Sequence, residues 1–235
     1  MADLRIKTGV NLPDRQGADR AYAAVRALRD GSISVADFLL ICALEGRTHI
    51  ANVGSVTTPI TFGAGTIDIT EPDFDLSVPA DTLVIPVEIN VYMEAFGTSA
   101  QFECMAAVGR GGVIASTGTA LIAPAGLVNQ RLDAPYASKC SAKYAADAAS
   151  ATYMTDNVYE FWRDGAQFAI TKTAGSATVA ATDPNKFSWR LTDSMVPPIM
   201  YSKSGICRLN VFAASQAGTG FMTIKYAELP GADIG

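Results

Sequence analysis

The most regular pattern in the chain is an alternation of apolar and polar residues over IPVEINVYMEA, residues 85–95. Apolar side chains occupy every second position, and Glu88, Asn90 and Glu94 lie between them. Because successive side chains of a β-strand point to opposite faces, the pattern predicts a strand with one face in a core and one toward polar surroundings. Pro86 cannot donate a ladder hydrogen bond, so we expect it at a strand start or an edge.

Short segments rich in β-branched and aromatic residues follow one another along most of the chain. Turn sequences separate many of them, including GRGG at 109–112 and RDG at 163–165. Many short strands between turns predict an antiparallel sandwich or barrel, and residues 141–152 are also compatible with a short helix. The predicted strands cover residues 56–62, 66–70, 85–95, 100–108, 112–116, 138–145, 157–163, 166–171, 176–181, 186–191, 205–214 and 219–229.

The first 46 residues follow a helical pattern instead. A first helix is predicted to begin near Pro13, a favoured residue in a first turn, and to end at Gly31. A second is predicted to begin at Ser34, the N-cap, and to end at Gly46. The apolar residues of this second helix occupy nearly all of its sides, so it needs cover from the domain body or from a neighbouring subunit.

These two patterns divide the chain into two parts. Residues 1–46 are predicted to form a helical segment that serves as an assembly arm, and residues 47–235 a β-sandwich domain. The expected fold class is therefore mainly β, a jelly-roll-type antiparallel sandwich with an N-terminal helical segment.

The chain carries little charge for its apolar content. Charged residues make up 17% and hydrophobic residues 49% of the 235 positions, with a formal net charge of −5. Such a composition supports a large core and leaves surface that is suited to contact with other subunits. The first 30 residues carry six bases and four acids, a net +2, which is too mild an excess for a polybasic nucleic-acid arm.

The only histidine, His49, lies in RTHIAN between the helical segment and the first predicted strand. Any Ser–His–Asp or Cys–His mechanism would have to use it, because the chain has no second imidazole. Cys42, its nearest thiol in the sequence, belongs to the apolar helix. We interpret His49 as a structural or merely solvated histidine and expect no catalytic residues and no enzyme activity.

No pattern in the sequence predicts a metal or a cofactor. The cysteines, Cys42, Cys104, Cys140 and Cys207, are far apart, which favours buried free thiols over zinc ligands or disulfides. The acidic run EPDFD, residues 71–75, lacks the spacing of a calcium loop and is interpreted as a solvated connection.

Aromatic residues raise a different possibility. Trp162 and Trp189, with several phenylalanines, would suit a glycan-binding surface if they were exposed, and packing in the core is the alternative. The N-terminal sequence MADLRIKTGV lacks the apolar region of a signal peptide, and no apolar run reaches the length of a transmembrane helix. We expect synthesis in a cytoplasm and no membrane insertion.

A helical N-terminal segment followed by many short strands, ending in the long strands ICRLNVFAAS and GFMTIKYAEL, resembles the single jelly-roll coat proteins of viruses. The resemblance is architectural and covers residues 56–229. It extends to the major capsid proteins of non-tailed bacteriophages. It implies two facing four-stranded sheets and loops and terminal arms that contact neighbouring subunits.

The function expected from this resemblance is a structural coat subunit that assembles with copies of itself into a virion shell. Other virion proteins are possible partners, and no strong nucleic-acid binding is expected. The alternatives are a glycan-binding or fibre-tip module and a subunit of a non-viral tube or filament. The residues expected to make assembly contacts are Arg5, Lys7, Arg15, Arg20, Phe38 and Leu39.

Overall fold

The protein is a β-sandwich, seen in a computed structural model. The described residues form fifteen strands, one α-helix and one short 3₁₀ turn. The structure describes residues 5–7, 22–24, 38–55, 57–62, 65–97, 101–113, 118–121, 126–133, 136–144, 153–167, 185–194, 196–215 and 217–231.

The described helix lies near the start of the chain, before most of the strands. The elements are β1 (Arg5–Lys7), β2 (Tyr22–Ala24), α1 (Phe38–Leu44), β3 (Thr48–Val53), β4 (Ile60–Thr61), β5 (Phe74–Val78), β6 (Thr82–Ala95), β7 (Gln101–Arg110), β8 (Thr119–Leu121), β9 (Leu127–Asn129), β10 (Ser141–Tyr144), β11 (Asp156–Gln167), β12 (Lys186–Arg190), the 3₁₀ turn (Leu191–Asp193), β13 (Met200–Tyr201), β14 (Cys207–Ala214) and β15 (Thr219–Pro230).

Two antiparallel sheets face each other. The six-stranded sheet has the order β11-β7-β14-β5-β10-β8. The seven-stranded sheet has the order β12-β6-β15-β3-β9, with β13 paired to β6 and β4 paired to β15. The short strands β1 and β2 pair with each other.

The eight principal strands pair in a nested order that defines a jelly roll. Taken along the chain they are β3, β5, β6, β7, β11, β12, β14 and β15. The first pairs with the last, the second with the seventh, the third with the sixth and the fourth with the fifth. This is one long antiparallel hairpin wrapped into two sheets, so the predicted fold class is confirmed.

The core fills the space between the two sheets. Alternate residues of β5 and β14, such as Leu76 and Leu209, point inward from the six-stranded sheet, and Ile89 and Ile224 of β6 and β15 meet them from the other side. These inward positions are fully buried, and burial of a large aliphatic side chain contributes about 1.5–3 kcal/mol.

The alternation predicted over residues 85–95 is correct only from Ile89 onward. Lys225 of β15 pairs with Glu88, and the next residue of β15 pairs with Pro86, so β6 carries a bulge at Val87. Pro86 therefore lies inside a strand rather than at its start. A bulge is one of the few strand positions that tolerate proline, and the extra residue reverses which side chains face the core.

Several sequence predictions for the other elements are wrong. Tyr22–Ala24 is a strand rather than part of a first helix, because pairing with β1 overrides the local helical pattern. Residues 66–70 and 112–113 do not form strands. Residues 157–163 and 166–167 belong to one continuous strand, β11. The predictions for 114–116, 145–152 and 168–181 lie outside the described residues.

Candidate assembly surface

The helix α1 forms the clearest exposed apolar feature of the described structure. It spans Phe38–Leu44 and contacts β3 and β15 of the seven-stranded sheet. Only Cys42 is buried, while four of the seven residues are exposed. Their exposed fractions are 48% for Phe38, 54% for Leu40, 40% for Ile41 and 65% for Leu44. The helix predicted over 34–46 is confirmed for these residues, and Ser34 lies outside the described part.

The C-terminal end of α1 is fixed to the sheet. Gly46 has φ +71°, the left-handed conformation that commonly terminates a helix. The backbone N–H of Arg47 donates to the carbonyl of Cys42 at 2.8 Å. The N–H of Glu228 on β15 then donates to the carbonyl of Arg47, also at 2.8 Å. The exposed face of α1 is thus held in one orientation relative to the sandwich.

A second segment extends the apolar surface. The Nη1 group of Arg131 donates to the carbonyl of Leu44 at 3.0 Å, which ties the segment after β9 to the end of the helix. Leu132, the next residue, is 95% exposed, and Tyr136 is 59% exposed. We call these six apolar residues the helix patch: Phe38, Leu40, Ile41, Leu44, Leu132 and Tyr136.

Two ion pairs flank the helix patch. Arg47 lies 3.1 Å from Glu45, and Arg131 lies 2.6 Å from Asp133. The four charges sum to zero. Such a rim does not repel a second copy of the same surface.

His49 lies beneath this surface as a buried residue of β3, so the prediction that it precedes the first strand of the sandwich is wrong. Its ring is 2% exposed and stacks on Tyr226, with centroids 5.6 Å apart. Nε2 lies 3.4 Å from the carbonyl of Tyr136 and 3.5 Å from the amide nitrogen of Asn129. The same amide donates to the carbonyls of Gly46 at 2.6 Å and Tyr136 at 2.8 Å. Asn129 and His49 therefore position both backbone segments that carry the helix patch.

A chain of hydroxyl groups lies beside His49. Ser138 donates to the Glu228 carboxylate at 2.6 Å, so its oxygen accepts from the hydroxyl of Tyr226 at 2.9 Å. The serine proton is therefore directed to Glu228 and not to the imidazole of His49. Burial raises the pKa of the Cys140 thiol well above its usual value, which keeps it protonated.

The acidic run at 71–75 is not a solvated connection, as its sequence suggested. Asp73 and Asp75 are 5% and 0% exposed. Asp73 accepts a hydrogen bond from the backbone N–H of Ala213 at 2.7 Å. Asp75 pairs with the fully buried Arg208, whose Nε lies 3.1 Å from Oδ1 and whose Nη2 bonds Oδ2. Both carboxylates therefore fasten β5 to β14.

The two tryptophans are core residues. Trp162 and Trp189 are 9% and 5% exposed, and the Trp189 ring meets Phe161 edge to face at 5.0 Å. Packing, the alternative interpretation of these aromatics, is confirmed. A glycan site built on the tryptophans is excluded because neither indole reaches the surface.

The structure brings together only some of the residues that were predicted to make assembly contacts. Phe38 and Leu39 both lie on α1, and Phe38 belongs to the helix patch. Arg5 and Lys7 lie on β1, and Arg15 and Arg20 lie outside the described residues. The sequence analysis missed Leu132 and Tyr136. An isolated leucine or tyrosine in a polar segment carries no periodic signal, so only the fold reveals their exposure.

The described residues also bear on metal binding and on membrane-spanning helices. Within that part of the chain, no group of three or more His, Cys, Asp or Glu side chains is arranged to hold a metal ion. No described helix has the length and hydropathy needed to cross a membrane.

Comparison with known proteins gives no family. No family model matches the chain, and no curated protein matches it. A solved structure of the infectious bursal disease virus Gt strain aligns with a TM-score of 0.17 and 11% identity. The alignment covers 96% of this chain and 45% of that one, so the chain spans less than half of the viral chain's length. A likeness at this level carries no argument about function.

Proposed function

We propose that the protein is a structural coat subunit that assembles with copies of itself into a viral shell. The observation that carries the proposal is the helix patch, a cluster of exposed apolar side chains on and beside α1. Exposed apolar patches of about 300–600 Å² on soluble proteins commonly mark interaction sites. The patch lies on rigid elements, since hydrogen bonds tie both α1 and the Leu132 segment to the sheet.

A second copy is the favoured occupant because the rim of the patch is electrically neutral. A strongly acidic or basic partner would carry mainly one sign of charge. It would therefore repel one member of each of the Glu45–Arg47 and Arg131–Asp133 pairs. Shell formation needs modest interfaces that repeat, each on the order of 1,000–2,000 Å². The low charged fraction of the chain, 17%, agrees with a surface that is largely occupied by neighbours.

A structural role accounts for the buried network around His49 better than catalysis does. His49, Asn129 and Ser138 are all buried, and their hydrogen bonds fix backbone that carries the patch. We propose no enzymatic activity, no cofactor and no strong binding of nucleic acid. The virion, with synthesis in a host cytoplasm, is the proposed location, and a non-tailed bacteriophage is the proposed source class.

The decisive test compares the particle size of the wild type with that of Leu44→Asp. We expect the wild type to form closed particles tens of nanometres wide in light scattering and negative-stain microscopy. A carboxylate at this 65% exposed position is compatible with the folded subunit but loses hydration in an interface, so the variant is expected to remain a monomer.

Val196→Asp is the matched control, because Val196 is 78% exposed on a different segment. This variant should assemble as the wild type does, and circular dichroism should show both variants folded. Long tubes from the wild type would indicate contacts that do not close, and thus a filament subunit. A wild type that stays a 24.7 kDa monomer at high concentration would contradict the proposal.

A further inference from the structure

The outward face of the seven-stranded sheet combines aromatic, amide and charged side chains in ordered rows. Ile89, Val91, Met222 and Ile224 face the core, so the residues between them point outward. Strand register aligns these outward residues across β3, β15, β6 and β12. The rows are Phe221–Tyr92–Lys186, Asn52–Thr223–Asn90–Ser188 and Ile50–Lys225–Glu88–Arg190, and together they form the outer sheet face.

The aromatic row presents two neighbouring rings. Tyr92 is 44% exposed, and its ring centroid lies 6.5 Å from that of Phe221. The side-chain amide of Asn185 donates to the Tyr92 hydroxyl at 3.3 Å, which orients the ring. Phe221 packs on Gly54, where an added Cβ would lie 2.8 Å from the phenyl ring. Both rings therefore have preferred positions before any ligand arrives.

A cavity of about 600 Å³ adjoins this row. This volume falls in the range of about 300–1,000 Å³ that is usual for small-molecule sites. Its lining mixes the phenyl ring of Phe221 with the amide of Asn52 and the hydroxyls of Ser55 and Thr223. A sugar ring has the matching chemistry, because its C–H faces are apolar while its edge carries hydroxyl groups.

Two of the three cations of this face are hydrogen-bonded to one carboxylate. Glu88 accepts from Lys225 at 2.6 Å and from Arg190 at 3.3 Å. Glu88 therefore offsets one of the three positive charges in the rows, and Lys225 and Arg190 both already have a carboxylate as hydrogen-bond partner. Binding of a nucleic acid depends on free cations that replace counterions along the phosphate backbone.

We infer that the outer sheet face binds neutral carbohydrate. A pyranose ring would lie against Phe221 and Tyr92, and its hydroxyls would exchange hydrogen bonds with Asn52 and Thr223. This surface lies on the seven-stranded sheet's outer face and does not include the helix patch, so the inference goes beyond the proposed assembly function. In a coat subunit, such a face is suited to attachment to glycans.

The test is calorimetric titration with a panel of neutral oligosaccharides of glucose, galactose, mannose and N-acetylglucosamine. At least one is expected to bind with a Kd below about 1 mM. Tyr92→Ala should weaken that binding about tenfold or more, since aromatic contacts of this kind contribute on the order of one factor of ten. Tyr159→Ala is the control, because Tyr159 is 48% exposed on β11 of the other sheet.

Three results would overturn the inference: no binding by any member of the panel, equal losses in the two tyrosine variants, or binding of oligothymidylate alone that depends on Tyr92. The last would make the face a single-strand platform instead. Particle size, measured on the same samples, tests assembly separately. A failure of sugar binding with normal particles therefore affects only this inference.

Discussion

At the scale of single residues, the buried Asp75–Arg208 pair shows why the acidic run was misinterpreted. The two residues are separated by 133 positions in the chain and are both fully buried. A carboxylate in a Pro-containing acidic stretch normally indicates a solvated turn, and the sequence near Asp75 contains no cation that predicts otherwise. Only the pairing of β5 with β14 brings the guanidinium to it.

Asp75→Asn is predicted to lower the free energy of unfolding by about 3–5 kcal/mol, because it removes the carboxylate that pairs with a fully buried guanidinium. Denaturant titration followed by tryptophan fluorescence measures the change. Asp133→Asn is the control: this carboxylate pairs with Arg131 at the surface, and its loss should cost less than about 1 kcal/mol. Equal effects of the two substitutions would show that Arg208 is hydrated in the native state.

At the scale of elements, periodicity predicted those strands whose environment is uniform along their length. Segments 100–108, 186–191, 205–214 and 219–229 coincide closely with strands, because one face of each lies in the core throughout. The failures occur where a distant partner decides the structure. Tyr22–Ala24 pairs with β1 despite a helical pattern. The exposure of the helix patch was predictable in part from the sequence. Apolar residues lie on nearly all sides of α1, and packing against the sheet covers only one of these sides.

Strand β11 gives a sharper case, since RDG at 163–165 was expected to be a turn. Gly165 lies inside the strand, and an added Cβ would lie 2.5 Å from the backbone oxygen of Phe102 on β7. The glycine is required for close approach of two strands and not for a reversal of the chain.

Gly165→Ala is therefore predicted to destabilise the protein by about 1–3 kcal/mol, because backbone must shift to admit the methyl group. Urea titration of the variant checks this value. Asp164→Ala, at the exposed neighbouring position, is expected to change stability by no more than about 0.5 kcal/mol. An unchanged unfolding midpoint for Gly165→Ala would mean that β11 and β7 separate easily at this point.

At the scale of the whole molecule, all four cysteines are buried free thiols. Cys42, Cys104, Cys140 and Cys207 are between 0% and 5% exposed. Burial raises the pKa of each thiol, so both access and the thiolate fraction are low in the native state.

The native protein is accordingly predicted to react with Ellman's reagent only as fast as it unfolds, and to release four equivalents in denaturant. The rate should rise with denaturant in parallel with loss of structure. Cys42→Ser serves as the control, since Cys42 is the one thiol on α1. If a fast phase in the wild type disappears in this variant, then α1 opens independently of the sandwich.

The nested pairing of strands also governs when a newly made chain acquires the helix patch through which we propose that it assembles. β3 lies directly after α1, yet its partner β15 is made some 170 residues later, as the Asn52–Thr223 separation of 171 positions shows. Contacts of such long range form slowly, and on a ribosome they cannot form until β15 has emerged. The support for the helix patch, including the bond from Glu228 to Arg47, therefore appears only after β15 has been made. In the proposed coat role, the order of synthesis would by itself keep incomplete chains out of a growing particle.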